Sequence, residues 1–250
     1  MKSKIHFLTA ASLLVCIFSW KADSFAQSNL VNKYGLVVVK DIRILKQQIA
    51  ADSNKKIVDI RRYIPNVLMD LKYAGNDNFM HEKLYPPIKT TYLRKQVADS
   101  LREVAEDLSK QGFALKIFDA YRPYSVTEKM WEKVPDDRYA ADPAKGSGHN
   151  RGVAIDLTLV DLATGKELQM PTSFDNFTDT AHHDFMQLIP AILKNRALLK
   201  EAMERRGFIA LSTEWWHYYP ANSGNYELLD IPFRQLDHMT RSRKNHKITD

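Results

Sequence analysis

The segment GVAIDLTLVDL, residues 152–162, alternates between apolar and other side chains. Successive side chains of a β-strand point to opposite faces, so this alternation predicts a strand whose two faces differ. One face carries four aliphatic side chains, Val153, Ile155, Leu157 and Leu159. The other face carries Ala154, Asp156 and Thr158. Another layer of structure has to cover the aliphatic face, whereas the carboxylate of Asp156 needs solvent, a base or a metal ion beside it.

Two segments have the apolar spacing of helices that could form such a layer. Residues 90–113 contain one helical pattern, which closes at Gly112. Residues 180–208 contain a helix, then Pro190, then a longer helix that ends at Gly207. A short helix is predicted in 125–134, and further strands in 56–73, 114–123 and 209–219. Together these elements predict an α+β fold, in which an antiparallel sheet has helices packed on one side.

The first 26 residues have the features of a signal peptide. Lys2 and Lys4 precede the apolar run FLTAASLLVCIFSW, and Ser24 and Ala26 have the small-residue spacing of a cleavage site. An uncleaved anchor and a lipoprotein modified at Cys16 are the alternatives. The run is shorter than the ~20 apolar residues of a membrane span, and the residues just before Cys16 are not small.

Cleavage after residue 26 predicts an exported, periplasmic protein with no stable membrane anchor. Since Cys16 is the only cysteine, the mature chain would have no disulfide. Residues 27–55 are interpreted as an N-terminal extension and residues 56–250 as the functional domain. The formal charge of the whole chain is +6, and much of it lies in the C-terminal RSRKNHK, residues 241–247. A basic tail without an aromatic-interleaved basic face does not indicate a nucleic-acid-binding protein.

Four side chains in two short motifs suggest a metal site at the sheet. His149 precedes Asp156 by seven residues, and Gly152 between them permits a turn that brings the two together. In EWWH, we expect Glu214 on the approach to a strand or at a bulge and His217 in the strand. Two imidazoles and one carboxylate suit zinc, and a glutamate outside the ligand set could accept a proton from water. Taken singly, each residue also has an ordinary explanation. His149 could be a surface histidine, Asp156 a solvated aspartate, and the aromatic residues of EWWH core packing.

Several motifs along the chain resemble those of the D-alanyl-D-alanine dipeptidases, the VanX-like branch of zinc peptidases that also include D-Ala-D-Ala carboxypeptidases. SGHNRGVAID together with EWWH resembles the family pattern S-x-H-x6-D followed by E-x-x-H. The other matching segments are DLKYAGNDNF at 70–79, FDAYRP at 118–123, MPTSFD at 170–175 and AHH at 181–183. Two positions depart from the family: Ala120 and Pro171 each replace a glycine, and Pro171 stiffens the loop that carries Asp175.

The resemblance implies a zinc peptidase that holds one Zn²⁺ per chain through His149, Asp156 and His217. Glu214 would be the catalytic base and then the acid. Arg122 would stabilise the charge that develops on the carbonyl oxygen, a role that suits a guanidinium because it stays protonated.

The implied substrate is the dipeptide D-alanyl-D-alanine, cleaved to two D-Ala. Ser147 would bind its carboxylate, Asp175 its free ammonium group, and Tyr73 would line the pocket. Two alternatives stay open: a carboxypeptidase or endopeptidase acting on the peptidoglycan stem, and a non-catalytic zinc module that recognises wall fragments. The non-catalytic zinc module should lack a residue equivalent to Glu214 or Arg122, and this chain has both.

Overall fold

The structure is a computed structural model that describes residues 31–241. The predicted signal peptide and the basic tail beyond Arg241 lie outside the described residues. Within the described range, none of the helices has the length and apolarity that a membrane span requires. In chain order the elements are β1 (Val38–Val39), α1 (Ile42–Ala51), β2 (Ile57–Asp59), α2 (Ile60–Tyr63), β3 (Leu68–Met69), β4 (Tyr92–Arg94), α3 (Lys95–Ser109), β5 (Phe113–Asp119), α4 (Tyr124–Lys133), α5 (Gly148–Arg151), β6 (Ile155–Asp161), α6 (Pro190–Arg205), β7 (Phe208–Ala210), β8 (His217–Pro220), β9 (Leu228–Leu229) and α7 (Phe233–Arg241).

The main sheet has five strands in the order β3-β5-β6-β8-β7, with the alternating segment at its centre as β6. β6 is antiparallel to β5 and β8, and β8 is antiparallel to β7. β3 joins the edge parallel to β5, so the predicted antiparallel sheet has one parallel pair. The mixed α+β class is confirmed.

The aliphatic face of β6 packs into the larger core. Leu157 pairs with Ile117 and Leu159 with Leu115, and all four side chains are buried. Helices α3 and α6 contact each other and the sheet, and most of their buried side chains belong to this same core cluster. Burial of a leucine-sized side chain contributes about 1.5–3 kcal/mol, so this two-helix layer is a principal source of stability.

Two predicted helical segments differ from the structure. The helix expected within 90–113 begins at Lys95, because residues 92–94 form β4, which pairs with β2. The helix expected before Pro190 is absent there; only a 3-10 turn, Asp179–Ala181, forms. Pro190 is the first residue of α6, where a missing amide hydrogen is harmless and the fixed backbone angle suits a helix start.

Residues 31–55, the described part of the predicted extension, pack on the rest of the fold. β1 pairs in parallel with β9. Leu45 and Ile49 of α1 are buried in a second core cluster, which also contains side chains of α7. The boundary at residue 56 stays a prediction of domain organisation.

Candidate active site and metal centre

Asp156 and His217 are brought together by the register of the sheet. They lie directly opposite each other on β6 and β8, and opposite residues of antiparallel strands point to the same face. The Nδ1 atom of His217 is 2.8 Å from Oδ1 of Asp156. The side chains that the sequence places 61 positions apart therefore become neighbours only through strand pairing.

Glu214 lies in the turn between β7 and β8, and His217 is the first residue of β8, as predicted. The segment 209–219 is thus a strand, a turn and a second strand rather than one continuous strand. The amide of Glu214 donates to the carbonyl of Leu211, and the amide of His217 donates to that of Glu214. Because the backbone turns here, Oε2 of Glu214 comes within 4.0 Å of Nδ1 of His217.

His149 is positioned by the one-turn helix α5. Ser147 caps the helix, and Asn150 completes a capping box with it. Gly152 ends the helix with φ at +69°, a conformation that glycine adopts without the strain of a side chain. The chain therefore reverses between His149 and β6, and the convergence that Gly152 was expected to permit is observed.

Nε2 of His149 lies at the spacing of a tetrahedral metal site from both of the other candidate ligands. Nε2 of His149 lies 3.3 Å from Nδ1 of His217 and 3.3 Å from Oδ2 of Asp156. Two ligand atoms that each lie 2.0–2.1 Å from a tetrahedral zinc ion are separated by about 3.3 Å. Nδ1 of His149 is 2.7 Å from the carbonyl oxygen of Ala120, so the ring proton belongs on Nδ1 and the Nε2 lone pair faces the site. The residues therefore fit a zinc ion.

Burial and neighbouring charges shift the pKa values of Asp156 and Glu214. Although burial alone would raise it, the pKa of Asp156 is held well below its usual range by His149 and His217. Burial, with a smaller contribution from the negative charge of Asp156, raises the pKa of Glu214 to about 7. A carboxylate with a pKa near neutrality can both accept and return a proton at physiological pH.

Arg122 is fixed by Asp119, and a β-bulge sets the orientation of that aspartate. The β5–β6 register shifts between Ile117 and Asp119, so that Asp119 rather than Phe118 lies opposite Asp156. Oδ2 of the buried Asp119 accepts hydrogen bonds from Nε of Arg122 at 3.0 Å and Nη2 at 2.9 Å. These contacts orient the guanidinium of Arg122.

The substrate-end candidates line the same cavity as the ligands. Asp175 has a φ of +58°, and its carboxylate accepts hydrogen bonds of 3.1 Å from the Tyr73 hydroxyl and from the amide of Phe79. Burial raises the pKa of Asp175 well above its ordinary value. The hydroxyl oxygen of Ser147 accepts the amide hydrogen of His149 at 3.2 Å, which leaves its own proton available.

One cavity of about 260 Å³ contains all eight predicted site residues. They are Tyr73, Arg122, Ser147, His149, Asp156, Asp175, Glu214 and His217. Eight further residues line the cavity, among them Asp137, Tyr139 and Phe177, which the sequence analysis did not single out because their motifs carry no chemical signature. The ring centroids of Tyr139 and Phe177 are 5.1 Å apart, so two separate loops meet at this wall. Among the described residues, this histidine-aspartate-histidine group is the one cluster with metal-ligand spacing.

The family model of peptidase family M15, described as D-ala-D-ala dipeptidase, matches residues 53–238. The chain belongs to the D-alanyl-D-alanine dipeptidase family. It is therefore a metallopeptidase, and the family is one of zinc-dependent peptidases. The resemblance inferred from the sequence motifs is thereby confirmed.

Curated members of the dipeptidase family match most of the chain. A D-alanyl-D-alanine dipeptidase of Escherichia coli (strain K12) is 35% identical over 178 residues, covering 71% of this chain and 91% of the relative. One from Enterococcus faecalis (strain ATCC 700802 / V583) is 31% identical and covers 67% of this chain and 88% of the relative. One from Enterococcus faecium is 32% identical, covering 62% and 86% respectively.

Proposed function

We propose that this chain hydrolyses D-alanyl-D-alanine to two molecules of D-Ala and holds one zinc ion per chain through His149, Asp156 and His217. The observation that carries the proposal is the convergence of these three ligand atoms within 4.8 Å of one another, in a cavity that also contains Glu214 and Arg122. A zinc ion bound there would polarise the scissile carbonyl and lower the pKa of a bound water to about 7.

Glu214 and Arg122 supply the proton transfer and the charge stabilisation. Glu214 accepts a proton from the attacking water and delivers it to the amine of the leaving D-Ala. Its raised pKa, about 7, supports both steps. Arg122 donates hydrogen bonds to the carbonyl oxygen as negative charge develops there. Because Asp119 fixes one edge of the guanidinium, Arg122 needs little reorganisation during the reaction.

The preference for a dipeptide follows from groups that can recognise both of its ends. Asp175, held by Tyr73 and the backbone, binds the free ammonium group. Ser147 donates its hydroxyl proton to the terminal carboxylate. A peptidoglycan stem has no ammonium group next to its terminal D-Ala-D-Ala, so Asp175 would stay without a cation if a stem peptide were bound. The names of the curated relatives support the same substrate.

We also propose that the enzyme acts in the periplasm after cleavage of residues 1–26. The support is the basic start, the apolar run and the small residues at the cleavage site. The substrate would then come from reactions that release D-Ala-D-Ala outside the cytoplasm. Mass spectrometry of the N-terminus of protein recovered from a periplasmic fraction tests this directly. An intact N-terminus in the membrane fraction would contradict it.

The catalytic proposal is tested with purified protein, with and without a chelator, on three substrates: D-Ala-D-Ala, L-Ala-L-Ala and a pentapeptide stem. We expect release of D-Ala from the D,D dipeptide alone, loss of activity on chelation and recovery with zinc. Faster cleavage of the stem would favour the carboxypeptidase alternative. Zinc binding without turnover of any substrate would favour the wall-recognition module.

A further inference from the structure

Residues 31–39, here called the N-terminal strap, form an organised turn followed by β1. Oδ1 of Asn32 accepts hydrogen bonds from the amides of Tyr34 at 2.9 Å and Leu36 at 3.0 Å. Val31 bridges to Val37 across the turn. The strap precedes residue 53, where the family match begins.

The strap reaches the wall of the active-site cavity through Tyr124. Nδ2 of Asn32 donates to the Tyr124 hydroxyl at 2.8 Å, and that hydroxyl donates to the carbonyl oxygen of Pro143 at 2.7 Å. Tyr124 is 1% exposed, so the relay is shielded from competing water. Pro143 belongs to the segment 140–147, which contributes Ala140, Ala141, Gly146 and Ser147 to the cavity lining.

A second, apolar contact leads to the same segment. Val38 of β1 forms a small buried cluster with Tyr124 and Leu228, and β1 pairs with β9 so that Val38 lies beside Leu228. A side-chain carbon added to Gly146 would lie 2.5 Å from Cδ2 of Leu228. The leucine therefore packs directly against the backbone of Gly146, next to Ser147.

The helix that carries His149 is capped by Ser147, but it is also held by contacts outside the wall. Nδ2 of Asn150 donates to the carbonyl of Arg122 at 3.0 Å and to Oγ1 of Thr127 at 2.8 Å. His149 itself is fixed at the carbonyl of Ala120. These contacts lie outside the wall, so they oppose displacement of His149 when the wall shifts.

We propose that the N-terminal strap positions the cavity wall 140–147, and with it Ser147, for binding of the substrate's terminal carboxylate. Asn32 and Tyr124 are its positioning residues. The inference rests on the proposed dipeptidase function. It predicts an effect on substrate binding rather than on the chemical step, because Glu214, Arg122 and the three metal ligands lie outside the wall.

The test compares Asn32→Asp and Tyr124→Phe in the full mature protein. The aspartate keeps the acceptor that organises the turn but removes the donor to Tyr124, and the phenylalanine removes the donor to Pro143. We expect KM for D-Ala-D-Ala to rise about fivefold, the effect of one hydrogen bond, while kcat stays within about twofold. Bound zinc should be unchanged, and the amides of residues 144–147 should exchange hydrogen faster. Tyr34→Ala, in the same turn but with a 38% exposed side chain, should behave as wild type.

Wild-type KM and wild-type amide exchange in Asn32→Asp would overturn the inference, as would an equal fall in kcat with loss of zinc. If Tyr124→Phe fails to fold, Asn32→Asp decides alone. The exchange measurement is independent of turnover. A wild-type protein with no dipeptidase activity would therefore refute the proposed function. Unchanged amide exchange of residues 144–147 in Asn32→Asp would instead refute the role of the strap.

Discussion

The hydroxyl of Tyr85 donates a hydrogen bond of 2.8 Å to Oδ1 of Asp119. Both side chains are buried, and the other oxygen of Asp119 binds Arg122. The hydroxyl of Tyr85, which lies in a loop, thus fixes the carboxylate of Asp119. That carboxylate in turn fixes the guanidinium of Arg122. The guanidinium also lies over the ring of Tyr73, with its carbon 4.9 Å from the ring centroid, so it is constrained on two sides.

Tyr85→Phe should lower kcat for D-Ala-D-Ala by about fivefold with little change in KM, because it removes one buried hydrogen bond while keeping the ring. Combining it with Arg122→Lys provides the control. A lysine lacks the planar fork that Asp119 binds, so the double variant should be little worse than Arg122→Lys alone. Fully additive losses in the double variant would show that Tyr85 acts by another route.

Zinc should stabilise the fold as well as support catalysis. The ligands come from α5, β6 and β8, so an ion bound to all three joins elements that are distant in the chain. At a free zinc concentration 100 times its Kd, the folded state gains about 2.7 kcal/mol. Calorimetry should show a melting temperature that rises with zinc and falls with chelator. Asp156→Asn should weaken this response, and an unchanged response in that variant would argue against the ligand set.

Glu214→Gln should reduce kcat by about 10²- to 10⁴-fold, the range for loss of a general base. The glutamine keeps the size of the side chain but has no basic carboxylate. Zinc content, measured by metal analysis, should stay at the wild-type value because Glu214 is outside the ligand set. A variant that retains most of its turnover would remove Glu214 from the mechanism.

His183 should make the fold sensitive to mild acid. Burial lowers the pKa of His183 to about 4, and neither ring nitrogen has a hydrogen-bond partner in the described structure. The unfolded chain, with an ordinary histidine pKa of about 6.5, binds the proton more readily than the folded chain. The contribution of neutral His183 to the free energy of unfolding is therefore fully present above pH 6.5. It decreases as the pH falls toward 4.

Urea unfolding of the chelator-treated protein at pH 7.5 and pH 5 measures this loss. His183→Phe should make the decrease between the two pH values smaller by about 1 kcal/mol, after allowance for the partial solvent exposure of the ring. At pH 7.5 the variant should be no less stable than the wild type, since no satisfied hydrogen bond is removed. A variant with the full wild-type decrease would show that other groups carry the acid sensitivity.

The sequence alone predicted the family and the central strand. The alternation around Asp156 predicted β6 and its buried aliphatic face, because a strand's side chains have a period of two. The motifs around His149 and Glu214 predicted the nitrogen and oxygen donors and the family. The sequence also predicted that Glu214 precedes a strand containing His217. These features depend on local order along the chain, which a sequence displays directly.

Only the tertiary structure decided how those donors meet. The opposition of Asp156 and His217, the bulge that turns Asp119 toward Arg122, and the contact of Tyr85 with that carboxylate all depend on strand register and loop packing. Pro190 begins a helix rather than separating two because the preceding residues pack as a loop. The strap at Asn32 reaches residues more than ninety positions away. Pairings at such separations are set by the total packing of the chain, and no local pattern encodes them.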